Sequence, residues 1–150
     1  MGLDPGATGG AAILLQRGEN KYVITRSTTG ESDFLDLLRS INAKEKIVVM
    51  EKVGGFIKGV EAPGSAMFKF GDGNGYMRGA LDALGWRRLP VHQSSWQAKL
   101  SLGKRGTRTK TQWKNHLKDA AARLYPGVKV TLATADALLL LEYGMRFLIR

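Results

Sequence analysis

The stretch Gly2-Leu3-Asp4-Pro5-Gly6-Ala7-Thr8-Gly9-Gly10, followed by the apolar run Ala11 to Leu15, sets one carboxylate between a short apolar stub and a glycine-rich turn. An acid held at a strand edge, with small residues around it, leaves room for phosphate and metal to approach closely. An Asp ahead of a Pro-Gly step is also, and more commonly, ordinary turn chemistry. Other acids have to decide between the two readings.

A second acid, Glu51, ends the run Lys46-Ile47-Val48-Val49-Met50, whose unbroken apolar character from Ile47 onward suits a strand buried on both faces. Burying an unpaired charge is expensive, so a carboxylate there points into a solvated cleft, pairs with a base or binds a cation. The adjacent Lys52 faces the other way along a strand. A third acid, Asp136, begins an apolar helix in Thr134-Ala135-Asp136-Ala137-Leu138-Leu139-Leu140-Leu141. An acid in a first helical turn is favoured by the helix dipole by about 0.3–1 kcal/mol. A helix this apolar is buried, however, and its single carboxylate then requires a partner.

The string GLDPGATGG, the strand ending IVVMEK and the late ADALLLLEYG, in that order over most of the chain, resemble RuvC-type crossover-junction endodeoxyribonucleases, particularly their phage-encoded relatives. The resemblance implies an α/β, ribonuclease-H-like fold with a mixed five-stranded sheet flanked by helices. It implies a structure-specific endonuclease that resolves four-way (Holliday) or other branched double-stranded DNA by metal-dependent phosphodiester hydrolysis, in bacterial or phage-infected cytoplasm. In that family an acid on the first strand, an acid ending the fourth strand and an acidic pair on the last helix hold two divalent ions. Carried over residue by residue, the catalytic and metal-binding set is Asp4, Glu51 and Asp136, with two Mg²⁺ per site and Mn²⁺ as a substitute. Asp4 is the best candidate to bridge both ions. Symmetric cutting needs two sites, so a homodimer is implied, with the helix around Met67, Phe68, Phe70, Tyr76 and Met77 as the expected interface.

Two departures accompany the resemblance. Three positions before the helical acid, relatives carry Asp or His, whereas this chain has Ala133. Either the lineage works with three acids or the chain is a variant disabled at that site, which makes a catalytically inactive, branched-DNA-binding protein on the same fold the competing expectation. Only Met1, Gly2 and Leu3 precede Asp4, where relatives have a full first strand. A third class, the sugar kinases and actin-like ATPases, also sets an Asp before glycines in its phosphate loop, but normally needs two duplicated domains, more than 150 residues supply.

Charge points the same way. Lys and Arg number 23 against 13 Asp and Glu, a formal net charge of +10, which favours a polyanionic partner. Lys99, Lys104, Arg105, Arg108, Lys110, Lys114 and Lys118 fall in one segment with no acid before Lys118. Gly103 and Gly106 make its first part an expected mobile loop, and Lys110, Lys114 and Lys118 recur every fourth residue as one stripe on an expected helix. Such a stripe is commonly a solvated face; a basic loop running into it shifts the reading toward phosphate binding. In Val53-Gly54-Gly55-Phe56-Ile57-Lys58-Gly59, Phe56 between glycines, with Lys52 and Lys58 beside it, stacks on an unpaired base or simply anchors the loop.

At 150 residues the chain is one domain, residues 1–150, long enough to bury a core, with no linker or repeat. The absence of cysteine excludes disulfides and thiolate zinc sites. No charged segment followed by an apolar stretch opens the chain and the longest late apolar run is too short for a bilayer, so a soluble intracellular protein with no membrane partner is expected. The expected elements are strands near Leu3, at Ala11 to Gln16, Tyr22 to Arg26, Ile47 to Met50 and Arg87 to Val91. The expected helices cover Ser32 to Ser40, Ser65 to Leu84 with a glycine interruption, Thr109 to Tyr125 and Thr134 to Leu148. Gly71-Asp72-Gly73-Asn74-Gly75 hints at a calcium loop, but Tyr76 breaks the pattern. His92 and His116 lack metal spacing, and Trp86, Trp96 and Trp113 are most simply core or loop anchors.

Overall fold

The structure is a computed structural model and describes residues 1–28, 30–53 and 64–149. Three strands open the chain: β1 (Gly2–Leu3), β2 (Gly10–Arg17) and β3 (Asn20–Ser27). Helix α1 (Glu31–Ser40) leads to β4 (Ile47–Glu51), α2 (Gly64–Ala83) to β5 (Arg87–Val91), and α3 (Gln93–Lys99), α4 (Lys110–Leu124) and α5 (Ala135–Phe147) close the chain. The sheet order is β3-β2-β1-β4-β5. The first three strands meander antiparallel, whereas β1, β4 and β5 run parallel, so this is a mixed five-stranded sheet with flanking helices.

The sheet separates two cores. On one face Val48 and Met50 of β4 pack with Leu3, Phe34, Leu38, Met77 and Leu81 under α1 and α2. On the other, Val49 and Val91 pack with Trp96, Trp113, Leu117 and the Leu138 to Leu141 run of α3, α4 and α5. Alternation along β4 therefore buries both of its faces, as its continuous apolar run requires. α5 lies so close to the sheet centre that a Cβ on Gly2 would collide with the backbone of Ala137 and Leu141, and one on Gly10 with the Ala133 carbonyl. These two glycines set the distance between the last helix and the first two strands.

Two expectations are corrected. α2 runs unbroken through Gly71, Gly73, Gly75 and Gly79, so its glycines neither interrupt the helix nor mark a close approach, and a Cβ at any of the four would meet nothing. Buried Met77 and Leu81, and a hydrogen bond from the Tyr76 hydroxyl to the Glu31 carbonyl (2.8 Å), hold the helix against weak propensity. Replacing Gly71 with Ala is expected to stabilise the fold by about 0.5–1 kcal/mol, seen as a higher urea midpoint at unchanged m. The second correction is α3, for which the sequence carries no cap signal: His92 at its N-cap makes no side-chain bond, and the helix is held by the fully buried Trp96.

Candidate functional site

β1, β4 and β5 are parallel, and their carboxyl ends carry Asp4, Glu51 and Val91, an edge where α/β sheets commonly place ligands. At β1 the backbone turns at once. Asp4 N–H donates to Gly10 O (3.0 Å) and Gly9 N–H to Gly6 O (2.8 Å), while a Cβ on Gly9 would strike the Asp4 carbonyl. The Gly6 N–H donates to Asp4 Oδ1 at 3.0 Å, so Asp4 does perform turn chemistry. That bond occupies one carboxylate oxygen and fixes the side chain, leaving Oδ2 for another partner.

Glu51 closes β4 with the parity of Val49, which turns its side chain toward the α5 face. Asp136 stands in the first turn of α5 and is 3% exposed. Its position is set by a reciprocal turn in which Thr131 N–H donates to Thr134 Oγ1 (3.0 Å) and Thr134 N–H to Thr131 Oγ1 (3.2 Å). The three acids feel one another. Burial and then repulsion from Asp136 raise the Asp4 carboxyl above its ordinary range, against the pull of the Gly6 N–H and Lys114. Burial, followed by repulsion from Asp4 and Asp136, pushes Glu51 up to about 7, opposed by the Trp96 indole N–H and by Lys114.

Lys114 is the member that the sequence reading assigned to the DNA-binding stripe and the structure seats at the acids. Its Nζ donates to Asp136 Oδ2 at 2.5 Å, with Lys114 about one-third exposed and Asp136 buried. Burial works against its charge, but Asp136, with Asp4 and Glu51 behind it, outweighs this and raises its pKa. With every group ionised the cluster carries three negative charges and one positive, a residue of −2. Asp136 Oδ1 is buried with no hydrogen-bond partner among the described residues. An orphaned carboxylate oxygen in an anionic group of hard oxygen donors fits a divalent cation. Among the described residues no three acids or histidines stand close enough to hold an ion as they are.

Other expected site residues distribute unevenly. Lys110 is exposed and Lys118 half-exposed, one turn to either side of Lys114 on the same face of α4, so the stripe passes the acids. The 101–109 segment, expected to be mobile, folds on itself: Arg108 N–H donates to Arg105 O (3.1 Å), Arg105 Nε to Arg108 O (2.9 Å) and Arg108 Nη1 to Lys104 O (3.0 Å). Lys104, Arg105 and Arg108 remain exposed, with the Arg108 guanidinium 5.8 Å from the Trp113 ring centroid. Lys99 is not brought to the acids. Its ammonium sits 5.9 Å from the Phe147 ring, at the far end of α5, roughly 16 Å along the axis from Asp136. Lys52 is exposed beyond the end of β4. Phe56 and Lys58 lie outside the described residues. Trp96 is core, and His116 stacks on Trp113 with Nε2 at 2.8 Å from Leu102 O, a structural histidine.

Ala133 precedes α5, its carbonyl packed against Gly10, and brings no fourth acid. Among the described residues no helix is long and apolar enough to cross a membrane.

No family model matches the sequence, and a search of curated proteins returns no match. The structure is similar to RuvC of Thermus thermophilus in complex with a Holliday junction substrate, with a TM-score of 0.60 and 16% identity, covering 97% of this chain and 93% of that one. It is similar to a second Thermus thermophilus RuvC structure with a TM-score of 0.57 and 17% identity, at the same coverage. The fold is RuvC-like, within the ribonuclease-H-like class.

Proposed function

We propose that this protein is a metal-dependent endodeoxyribonuclease that resolves four-way or other branched DNA. The observation carrying this reading is that Asp4, Glu51 and Asp136, from three distant segments, enter one mutually repelling group at the carboxyl edge of a RuvC-like sheet. The Lys110, Lys114 and Lys118 face beside it supplies positive charge for the phosphate backbone. Asp4, Glu51 and Asp136 would hold Mg²⁺ or Mn²⁺. When bound, the ions supply an activated water and stabilise charge on the leaving oxygen.

The chain's own residues then divide the work. The Gly6 N–H keeps Asp4 in one orientation, and the α5 turn keeps Asp136 at a fixed depth. Lys114 neutralises one carboxylate and stands ready to meet a phosphate oxygen. The residual charge of −2 matches one divalent ion with Lys114 in place. A second ion, as in the family arrangement, would need further negative charge from the substrate phosphates. Symmetric cutting requires a second copy. With Tyr76 and Met77 turned inward, the exposed Phe68 and the half-buried Met67 and Phe70 are the α2 residues of that expected interface left to meet it. Such a protein works in the cytoplasm of a bacterial or phage-infected cell.

Mg²⁺- or Mn²⁺-dependent nicking of synthetic four-way junctions tests the reading, scored against forks, flaps and linear duplex. The metal requires ionised acids, which gives a pH signature. Glu51 is raised in the folded state, so the folded protein binds the extra proton between its ordinary value near 4.5 and about 7. Metal-free stability therefore falls as pH rises through that window and is flat above it. Metal affinity moves oppositely, weakening about tenfold per pH unit below 7. The Mg²⁺-induced rise in Tm is expected to be larger at pH 8 than at pH 6; equal shifts would remove Glu51 from the metal site.

Ala133 favours a second reading, a non-catalytic branched-DNA-binding protein. Ala133→Asp separates the two: junction binding without nicking in the parent chain and nicking in the variant would establish the second reading. Nicking by the parent chain establishes the first.

A further inference from the structure

On the α2 side of β4, opposite the acid group, a cavity of about 230 Å³ is lined by Lys52, Arg78, Arg88 and Asn74, with Glu51 and Pro90 in its wall. Arg88 is braced: its Nε donates to Asp82 Oδ1 at 2.5 Å and its Nη2 to Asp82 Oδ2 at 2.9 Å. Asp82 also lies within electrostatic reach of Arg78. A guanidinium has five N–H donors, so this fork leaves three uncommitted on an arginine whose plane is held still. Lys52 and Arg78 are exposed and form no ion pair among the described residues. Three cations against Asp82 and Glu51 leave a local surplus of one positive charge around a small hollow even with both acids ionised, and the repulsion among the cations is relieved by an anion placed between them.

We propose that Lys52, Arg78 and Arg88 form a second phosphate-binding subsite, which takes a backbone phosphate of the DNA strand leaving the acid group toward α2. The assignment rests on the proposed nuclease reading and extends it to a part of the surface that the basic loop and the α4 stripe do not reach. The strand geometry favours a nucleic-acid phosphate over a free one. Glu51 couples to the other acids and also lines the cavity, so the two sites share the end of β4. A polymer held at the acids delivers its neighbouring phosphates there at high effective concentration. Asp82 acts as a positioning residue: it touches no phosphate and aims Arg88.

The test measures binding in metal-free protein, so it does not depend on cleavage. Fluorescence anisotropy of a labelled four-way junction is recorded across a salt series for the parent chain, Arg78→Gln, Arg88→Gln, Asp82→Asn and a control, Arg87→Gln, exposed on the same strand but outside the cavity. Arg78→Gln and Arg88→Gln are each expected to lower the slope of log K against log salt by about 1, and Arg87→Gln to leave it unchanged. Asp82→Asn removes a negative charge and by charge alone would tighten binding; with Arg88 unbraced it is expected to weaken it. Arg78 makes no ion pair, so its variant remains informative if Arg88→Gln unfolds. Unchanged slopes in both arginine variants, or tighter binding by Asp82→Asn, would overturn the subsite while leaving the nuclease reading intact. Loss of all junction binding in the parent chain would remove both. Displacement of DNA by micromolar inorganic phosphate would assign the cavity to a free anion and end the DNA assignment.

Discussion

Asp4→Asn is expected to reduce junction cleavage on the order of 10³-fold or more while leaving junction affinity equal or higher. The asymmetry follows from charge. Asp4 is the acid whose Oδ1 is committed to the Gly6 N–H, so the amide retains the turn through its carbonyl oxygen and the fold is undisturbed. What is lost is the negative charge that a divalent ion needs, and with it the activated water. The same charge repels the DNA phosphates, so its removal helps binding as it ends catalysis. Single-turnover cleavage and metal-free anisotropy measure the two quantities separately. Full activity in Asp4→Asn would remove Asp4 from the catalytic set and end the three-acid metal site as the source of cleavage.

The second large effect is on stability. Gly2→Ala is expected to destabilise the protein by about 3 kcal/mol, lowering Tm by roughly 6–12 °C. The added methyl points at the carbonyl of Ala137 and the N and Cα of Leu141, backbone atoms inside α5 that no rotamer change moves aside. α5 must shift as a body, and it carries the buried residues Leu138, Leu139, Leu140 and Leu141. The shift also carries Asp136 away from Asp4, so surviving protein should bind Mg²⁺ more weakly. Gly144→Ala is the comparison. There the methyl meets Cγ2 of Val49, one buried side chain instead of helix backbone, and the cost should be smaller, about 1–2 kcal/mol. Equal urea midpoints for parent and Gly2→Ala would show that α5 does not press on β1.

Two of the three candidate acids stood out in the sequence because they interrupt an apolar pattern that has no room for an unpaired charge, and Asp4 because of its glycine-rich turn. Glu51 ends a strand buried on both faces, and Asp136 sits in a helix with nine buried residues. The carboxylate in this helix does have a partner, and that partner is remote in the chain. Lys114 is 22 positions earlier, and along the chain it is indistinguishable from Lys110 and Lys118, since a stripe at four-residue spacing looks the same whether it faces water or a carboxylate. The arginine cavity was equally hidden: Arg78, Asp82 and Arg88 come from α2 and β5 and acquire meaning only once the bidentate pair forms.

Sequence alone therefore determined the order and type of most elements and the mixed sheet, and singled out three acids as candidates, because periodicity and the cost of burying charge act locally. The tertiary structure decided which cation answers Asp136, that the glycines of α2 leave the helix intact while Gly2 and Gly10 admit α5, and that Lys52, Arg78 and Arg88 line one cavity. Those outcomes depend on distances between segments far apart in the chain, and such distances are set by packing of the whole core.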